Sequence, residues 1–234
     1  MYPLFFRSLI FSHEQAVAQE VSIDKKNDVR SQYCQRCGLS VQKCFCHALP
    51  YLSESPQFHL VVHPREVSKR TNTGSLACAC MAMCGFEIWS RQHASAVDCN
   101  RDIVVFPKAL ANEQALYRDL KELIAPQPQP PQSHDQSIPI SPRFILLDAT
   151  WQQARKMYRQ SPWLHTLLHT ELPLFDCPSS DCPSDSRYML RKRQSEGHFS
   201  TLEVIAWIVN ATGNTRDAEA LQDVLAHFQS YFHS

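Results

Sequence analysis

Glycine is scarce: 5 residues in 234, against 15 prolines. Neither a GxGxxG fingerprint nor a GxxxxGK[ST] loop occurs, so the common glycine-rich cradles for dinucleotides and nucleoside triphosphates are excluded. Net charge is also lacking. Lys+Arg is 23 and Asp+Glu is 23, so any nucleic-acid contact must come from a local basic patch, not from overall charge. No apolar run approaches the ~18–20 residues of a membrane span. The N-terminal stretch MYPLFFRSLIF is short, is broken by Arg7 and has no basic region before it. It reads poorly as a signal peptide. A cytoplasmic protein with no membrane association is expected, and no obligate protein partner is evident. In that setting the 10 cysteines read as reduced thiols, not as a disulfide framework.

Four of those cysteines are crowded into CQRCGLSVQKCFC. Cys34, Cys37, Cys44 and Cys46 have the spacing C-x2-C-x6-C-x-C. Four thiolates complete a closed tetrahedral shell, so a structural zinc ion is expected, with no open position for catalysis. Cys78, Cys80 and Cys84 read instead as small apolar residues packing a helix. The expected organisation is a partly disordered lead-in at 1–33, a zinc knuckle at 34–50 and a catalytic domain at 51–234. That domain carries a Pro/Gln-rich insertion at 125–142, a composition that excludes helix and central strand.

Short apolar, β-branched runs predict strands at 58–63, 102–107 and 143–148. SLACACMAMCGF reads as a helix stopped by Gly85. NEQALYRDLKELI (112–124) has helical spacing, with Asn112 as its cap. A further helix follows Asp148. Ser200 and Glu203 have capping-box spacing before a helix that Gly213 ends, and an amphipathic helix closes the chain. Strands alternating with helices imply an α/β fold with a mostly parallel sheet.

Ligands in open α/β sheets bind beyond the carboxyl ends of strands. Two loops there carry candidate chemistry. HPREVSKRTNTG offers His63, Arg65, Glu66, Arg70, Asn72 and Thr73, with Gly74 leading into a helix; its other reading is an ordinary solvated loop. LLDATWQQARKMYR places Asp148 at the end of an apolar strand, either as a proton acceptor or orienting group or as a cap for the next helix. Thr150 has the same two readings. Trp151 either stacks on a base or covers the core. Arg155, Lys156 and Arg159 form a basic stripe suited to phosphates, and Arg191, Lys192 and Arg193 a second basic group.

HPREVSKRTNTGSLA, LLDATWQQARKM and YMLRKRQSEGHFSTLE, in that order after the cysteine cluster, together resemble the DTW-domain family. The family is named for an Asp-x-Thr-Trp motif, here Asp148-Ala149-Thr150-Trp151. The resemblance runs from about Cys34 to about Asn210. Ala149 stands where Gly is common and Val204 where Ala often follows; neither change removes a functional group. The bacterial members that the chain resembles are tRNA-uridine aminocarboxypropyltransferases. The resemblance implies a SPOUT-like α/β fold with a knotted cofactor pocket. It also implies transfer of the 3-amino-3-carboxypropyl group of S-adenosylmethionine to N3 of a tRNA uridine, in the variable loop. On that basis Asp148, Thr150 and Trp151 are the expected catalytic residues. His63, Arg65, Glu66, Asn72, Thr73, Gly74, Ser200, Thr201 and Glu203 are expected at the cofactor. Arg70, Arg155, Lys156, Arg159, Arg191, Lys192 and Arg193 are expected at the RNA. Ser200 and Glu203 can equally be no more than the cap of their helix. Two other functions fit the same residues: an RNA methyltransferase using the same co-substrate, and a non-catalytic zinc- and RNA-binding module.

Overall fold

Parallel pairing organises the molecule. The computed structural model describes residues 34, 36–37, 39–53, 56–92, 95–125, 141–172 and 199–233, all within the unit Tyr33–Ser234. The lead-in, nearly all of the Pro/Gln-rich insertion and Arg191, Lys192 and Arg193 lie outside these residues.

Among the described residues six strands form one sheet: β1 (Gln57–Val62), β2 (Cys84–Ile88), β3 (Asp102–Val105), β4 (Leu116–Tyr117), β5 (Arg143–Asp148) and β6 (Leu168–Thr170). Their order is β2-β1-β5-β3-β6-β4, and every pairing is parallel. The expected α/β class is therefore found. A parallel sheet must be covered on both faces, which is why β1, β3 and β5 are apolar almost throughout. Alternation divides their side chains. Phe58, Leu60, Val62, Phe144 and Leu146 pack against α1 (Gly74–Cys80), α4 (Thr201–Ala211) and α5 (Thr215–His233). Val61, Val104 and Ile145 face Met157 and Tyr158 of α3 (Trp151–Arg159) on the other side.

Three expectations are corrected. The helix expected to run to Gly85 ends at Cys80, and Gly85 lies inside edge strand β2. There Phe58 and His59 stand opposite Cys84 and Gly85, so main-chain pairing overrides the weak helical signal. The helix expected over 112–124 is reduced to α2 (Leu120–Ile124). Its cap is Asp119, which accepts from the Lys121 amide at 2.7 Å, while Leu116 and Tyr117 extend to pair with β6. Asn112 instead closes a turn onto Gln114. Finally, Cys78, Cys80 and Cys84 pack the core as expected, but Cys84 does so from β2 and not from a helix, with its sulfur 3.2 Å from that of Cys78. Gly213 does end α4, with φ +86°, a left-handed conformation that L side chains resist.

Candidate active site and metal knuckle

The site forms where the sheet's connections diverge. The chain leaves β1 through α1 to β2 on one side, and leaves β5 through α3 toward β6 on the other. β1 and β5 are neighbours, so their carboxyl ends flank the crevice at which open α/β sheets bind ligands. The loop 63–73 and the segment 148–151 meet there: the His63 amide donates to the Asp148 carbonyl at 3.0 Å.

Asp148 joins three segments that are remote in sequence. Its carboxylate is buried. Oδ2 accepts from Asn72 Nδ2 at 2.6 Å, and Oδ1 accepts from Thr201 Oγ1 at 2.6 Å. The Leu202 amide donates to Thr73 Oγ1 at 3.4 Å, so the starts of α1 and α4 are laced together around the carboxylate. Gly74 is required for this approach. A Cβ there would lie 2.7 Å from Asp148 Oδ2 and 3.1 Å from Leu60 Cδ1.

Thr150, not Asp148, caps α3. Its hydroxyl accepts from the Gln153 amide at 3.4 Å, and Gln153 Oε1 accepts from the Thr150 amide at 2.9 Å. Ser200 and Glu203 form the matching box on α4: the Glu203 amide donates to Ser200 Oγ at 3.4 Å and the Ser200 amide to Glu203 Oε2 at 2.7 Å. Trp151 is the first residue of α3 and is half-buried. Glu66 is fully buried, with Lys69 Nζ 2.6 Å from its Oε1.

The rim is basic. Arg65, Lys69 and Arg70 are exposed on the loop, and Arg155, Lys156 and Arg159 on α3. His63 sits between the two groups. Burial lowers its pKa, and the charges of Arg65, Lys156 and Lys69 lower it further against the opposing pull of Glu66. Sequence reasoning missed Trp89, whose indole stacks on the His63 ring at 5.9 Å and 17° and donates to buried Ser161 Oγ at 2.9 Å. Trp89 follows β2, the edge strand that also went unread, so nothing in the sequence placed it near a carboxyl end.

The cysteine cluster lies elsewhere, over the face that α1 and α5 share. Cys34, Cys37, Cys44 and Cys46 bring their sulfurs within 4.8 Å of one another, as a metal-binding group requires. Cys34 and Cys46 are 3.6 Å apart, Cys37 and Cys44 3.9 Å. Burial pushes the Cys34 thiol up, but amides of Cys37 and Arg36 and the neighbouring sulfurs outweigh it and bring it down to about 7. A thiol so placed gives up its proton readily to a metal ion.

Residues 31–233 match the DTW domain. The chain belongs to the DTW domain family. It is 28% identical over 197 residues to tRNA-uridine aminocarboxypropyltransferase 2 of Drosophila melanogaster, covering 80% of this chain and 68% of that protein. It is 25% identical over 217 residues to tRNA-uridine aminocarboxypropyltransferase A of Arabidopsis thaliana, covering 86% and 79%. No solved structure matches. Within the family's namesake motif, the aspartate is thus the buried junction and the threonine the helix cap. Among the described residues no helix is long and apolar enough to cross a membrane.

Proposed function

We propose that this chain is a tRNA-uridine aminocarboxypropyltransferase. It transfers the 3-amino-3-carboxypropyl group of S-adenosylmethionine to N3 of a uridine in the tRNA variable loop and releases methylthioadenosine. The observation that carries the reading is spatial. The segments 63–74, 146–153 and 199–203, which carry the resemblance, converge on Asp148 at one sheet crevice, in a chain whose relatives over most of its length bear that activity in their names.

The sulfonium supplies an electrophilic γ-carbon, so what remains for the residues is placement. Arg65 and Arg70 are cations for the methionine carboxylate. Asn72 and Thr201 are fixed by Asp148, which makes the crevice wall rigid before anything binds. Trp151, at the mouth, offers a ring to a base. Asp148 serves this arrangement as a positioning residue, because a hydrogen bond engages each of its oxygens. At the knuckle we assign zinc. Four thiolates at ~2.3 Å from a tetrahedral Zn²⁺ stand ~3.8 Å from one another, and the contacts of 3.6 and 3.9 Å fit that edge.

The test is product analysis. Unmodified tRNA incubated with the protein and S-adenosylmethionine should yield acp3-uridine in the digest and methylthioadenosine in solution. Label carried on the donor's carboxyl group should enter RNA, and label on its methyl group should not. Methyl label in the RNA establishes a methyltransferase instead, and tRNA binding with no turnover a binding module.

The exposed cations give a second prediction. Replacing Arg155, Lys156 and Arg159 together by alanine should weaken tRNA binding. It should also flatten the plot of log K against log salt by roughly 2 to 3, since each phosphate contact contributes about 0.7–0.9. Filter binding at several salt concentrations measures this. An unchanged slope removes α3 from the RNA path.

A further inference from the structure

His63 has one ring nitrogen fixed and one open. The Arg65 amide donates to Nδ1 at 3.1 Å, so the neutral ring carries its proton on Nε2. Among the described residues nothing bonds Nε2, and it is not a buried unpartnered atom; it therefore presents an N–H to solvent. Trp89 stacks on the ring, and Ser161 holds the indole in turn. The backbone of His63 is tied to Asp148 at the centre of the crevice. The result is a fixed donor at the junction of β1 and β5, assigned to no step by the reading above.

We propose that His63 donates a hydrogen bond from Nε2 to a ring carbonyl oxygen, O2 or O4, of the target uridine, and that Trp89 is the positioning residue that sets its plane. This role rests on the transferase reading. In that reaction the N3 proton passes to solvent and the N3 electron pair forms the bond to the γ-carbon. The carbon–sulfur pair returns to sulfur, which leaves as a neutral thioether. As N3 loses its proton, negative charge spreads to the two flanking carbonyls, and a donor already in place stabilises that charge without reorganising. With Nδ1 held by the Arg65 amide, Nε2 is protonated, so His63 is a donor and not the base.

The surroundings favour the neutral ring, which can donate from Nε2 to a neutral carbonyl. Arg65, Lys69 and Glu66 face the ring from its own loop and Lys156 from α3, with Trp89 beside it. Burial, and then the cations, which outnumber the single carboxylate, oppose protonation of the ring.

Nitrogen–proton correlation spectra of the full-length protein should show His63 protonated on Nε2 alone at about pH 7; a proton on Nδ1 overturns the proposal whatever the reaction. His63→Phe keeps a ring against Trp89 and removes the donor. Turnover of tRNA should fall about 100-fold with affinity for S-adenosylmethionine unchanged, and His63→Gln, which restores an N–H, should recover part of the loss. Undiminished turnover in His63→Phe overturns the role. So does a matching loss of S-adenosylmethionine affinity, which places His63 on the carboxylate. A wild-type protein that makes no acp3-uridine refutes the transferase reading itself; an active wild type with an equally active His63→Phe refutes only this role.

Discussion

Replacing Cys37 by serine is expected to release the metal and lower the stability of the folded chain by several kcal/mol. Structural zinc in small knuckles contributes roughly 10–16 kcal/mol of binding energy. Here a folded domain already exists, so only the part that the knuckle contributes to the rest of the chain is at stake. That part is visible. Cys37 is fully buried and joins Leu39, Phe45 and Leu52 in the main core. Phe45 packs edge-on to His227 at 4.8 Å and stacks on Tyr231 at 5.6 Å. Lys43 donates to the Tyr231 carbonyl at 3.1 Å, and Arg36 to the Ala79 carbonyl at 2.8 Å. The knuckle therefore clasps the last turns of α5 and the end of α1. Among the described residues of 34–48 the helical structure is two short 3-10 turns, Val41–Lys43 and Cys46–Ala48. So little regular structure holds the four thiols that an ion bound there would supply much of the order of the stretch.

Metal analysis should give one zinc per chain in the wild type and none in Cys37→Ser. Thermal unfolding should shift down by several degrees or more, and proteolysis should open the C-terminal turns of α5 first. Cys99→Ser, at an exposed site, is the matched control and should change nothing. Wild-type protein without metal, or a Cys37→Ser melting curve that overlays it, removes the knuckle from the stability argument.

What could be read from the chain and what could not follows from where each signal resides. β1 and β5 were legible because both of their faces are covered and the runs FHLVV and FILLD are apolar but for His59 and the terminal Asp148. The caps of α3 and α4 were legible because a capping box is local: Thr150 with Gln153, Ser200 with Glu203. β6 was not legible. It has three residues, two of them His169 and Thr170, and it is buried. His169 is tolerated there because Tyr158 Oη lies 3.0 Å from Nε2 and the Leu167 carbonyl 3.0 Å from Nδ1. Those partners come from the fold, not from spacing. β2 and β4 are edge strands with exposed Phe86, Ile88 and Leu116, and sheet edges lack the alternation that marks a half-buried strand. The site divides in the same way. The Asp-x-Thr-Trp motif could be read as a motif. That its aspartate holds Asn72, 76 residues earlier, and Thr201, 53 residues later, is a tertiary fact.

That tertiary fact yields the second large effect. Asp148→Ala leaves two donors facing a cavity, Asn72 Nδ2 and Thr201 Oγ1. A buried donor left unsatisfied costs about 1–3 kcal/mol; Asn72 Nδ2 keeps the Glu66 carbonyl at 3.5 Å and Thr201 is only part-buried, so the loss is expected at about that size, against a total stability of about 5–15 kcal/mol. The protein should be less stable, and what folds should bind S-adenosylmethionine poorly, because Asp148 no longer ties Asn72 to Thr201. Gly74→Ala attacks the same junction from the other side. It drives a methyl group to 2.7 Å from Asp148 Oδ2, and overpacking of this kind costs about 1–3 kcal/mol. Asp148→Asn is the discriminating variant. Its carbonyl can accept from Asn72 and its amide can donate to the Thr201 oxygen, so the ties to Asn72 and Thr201 each have a replacement. If Asp148 is a clamp, Asp148→Asn should fold, bind S-adenosylmethionine and retain transfer to within about tenfold, whereas a lost general base costs about 10²–10⁴. Stability by chemical denaturation, co-substrate affinity by calorimetry and turnover on tRNA decide between them. A well-folded Asp148→Asn protein with native affinity and no turnover makes the carboxylate the base and overturns the clamp.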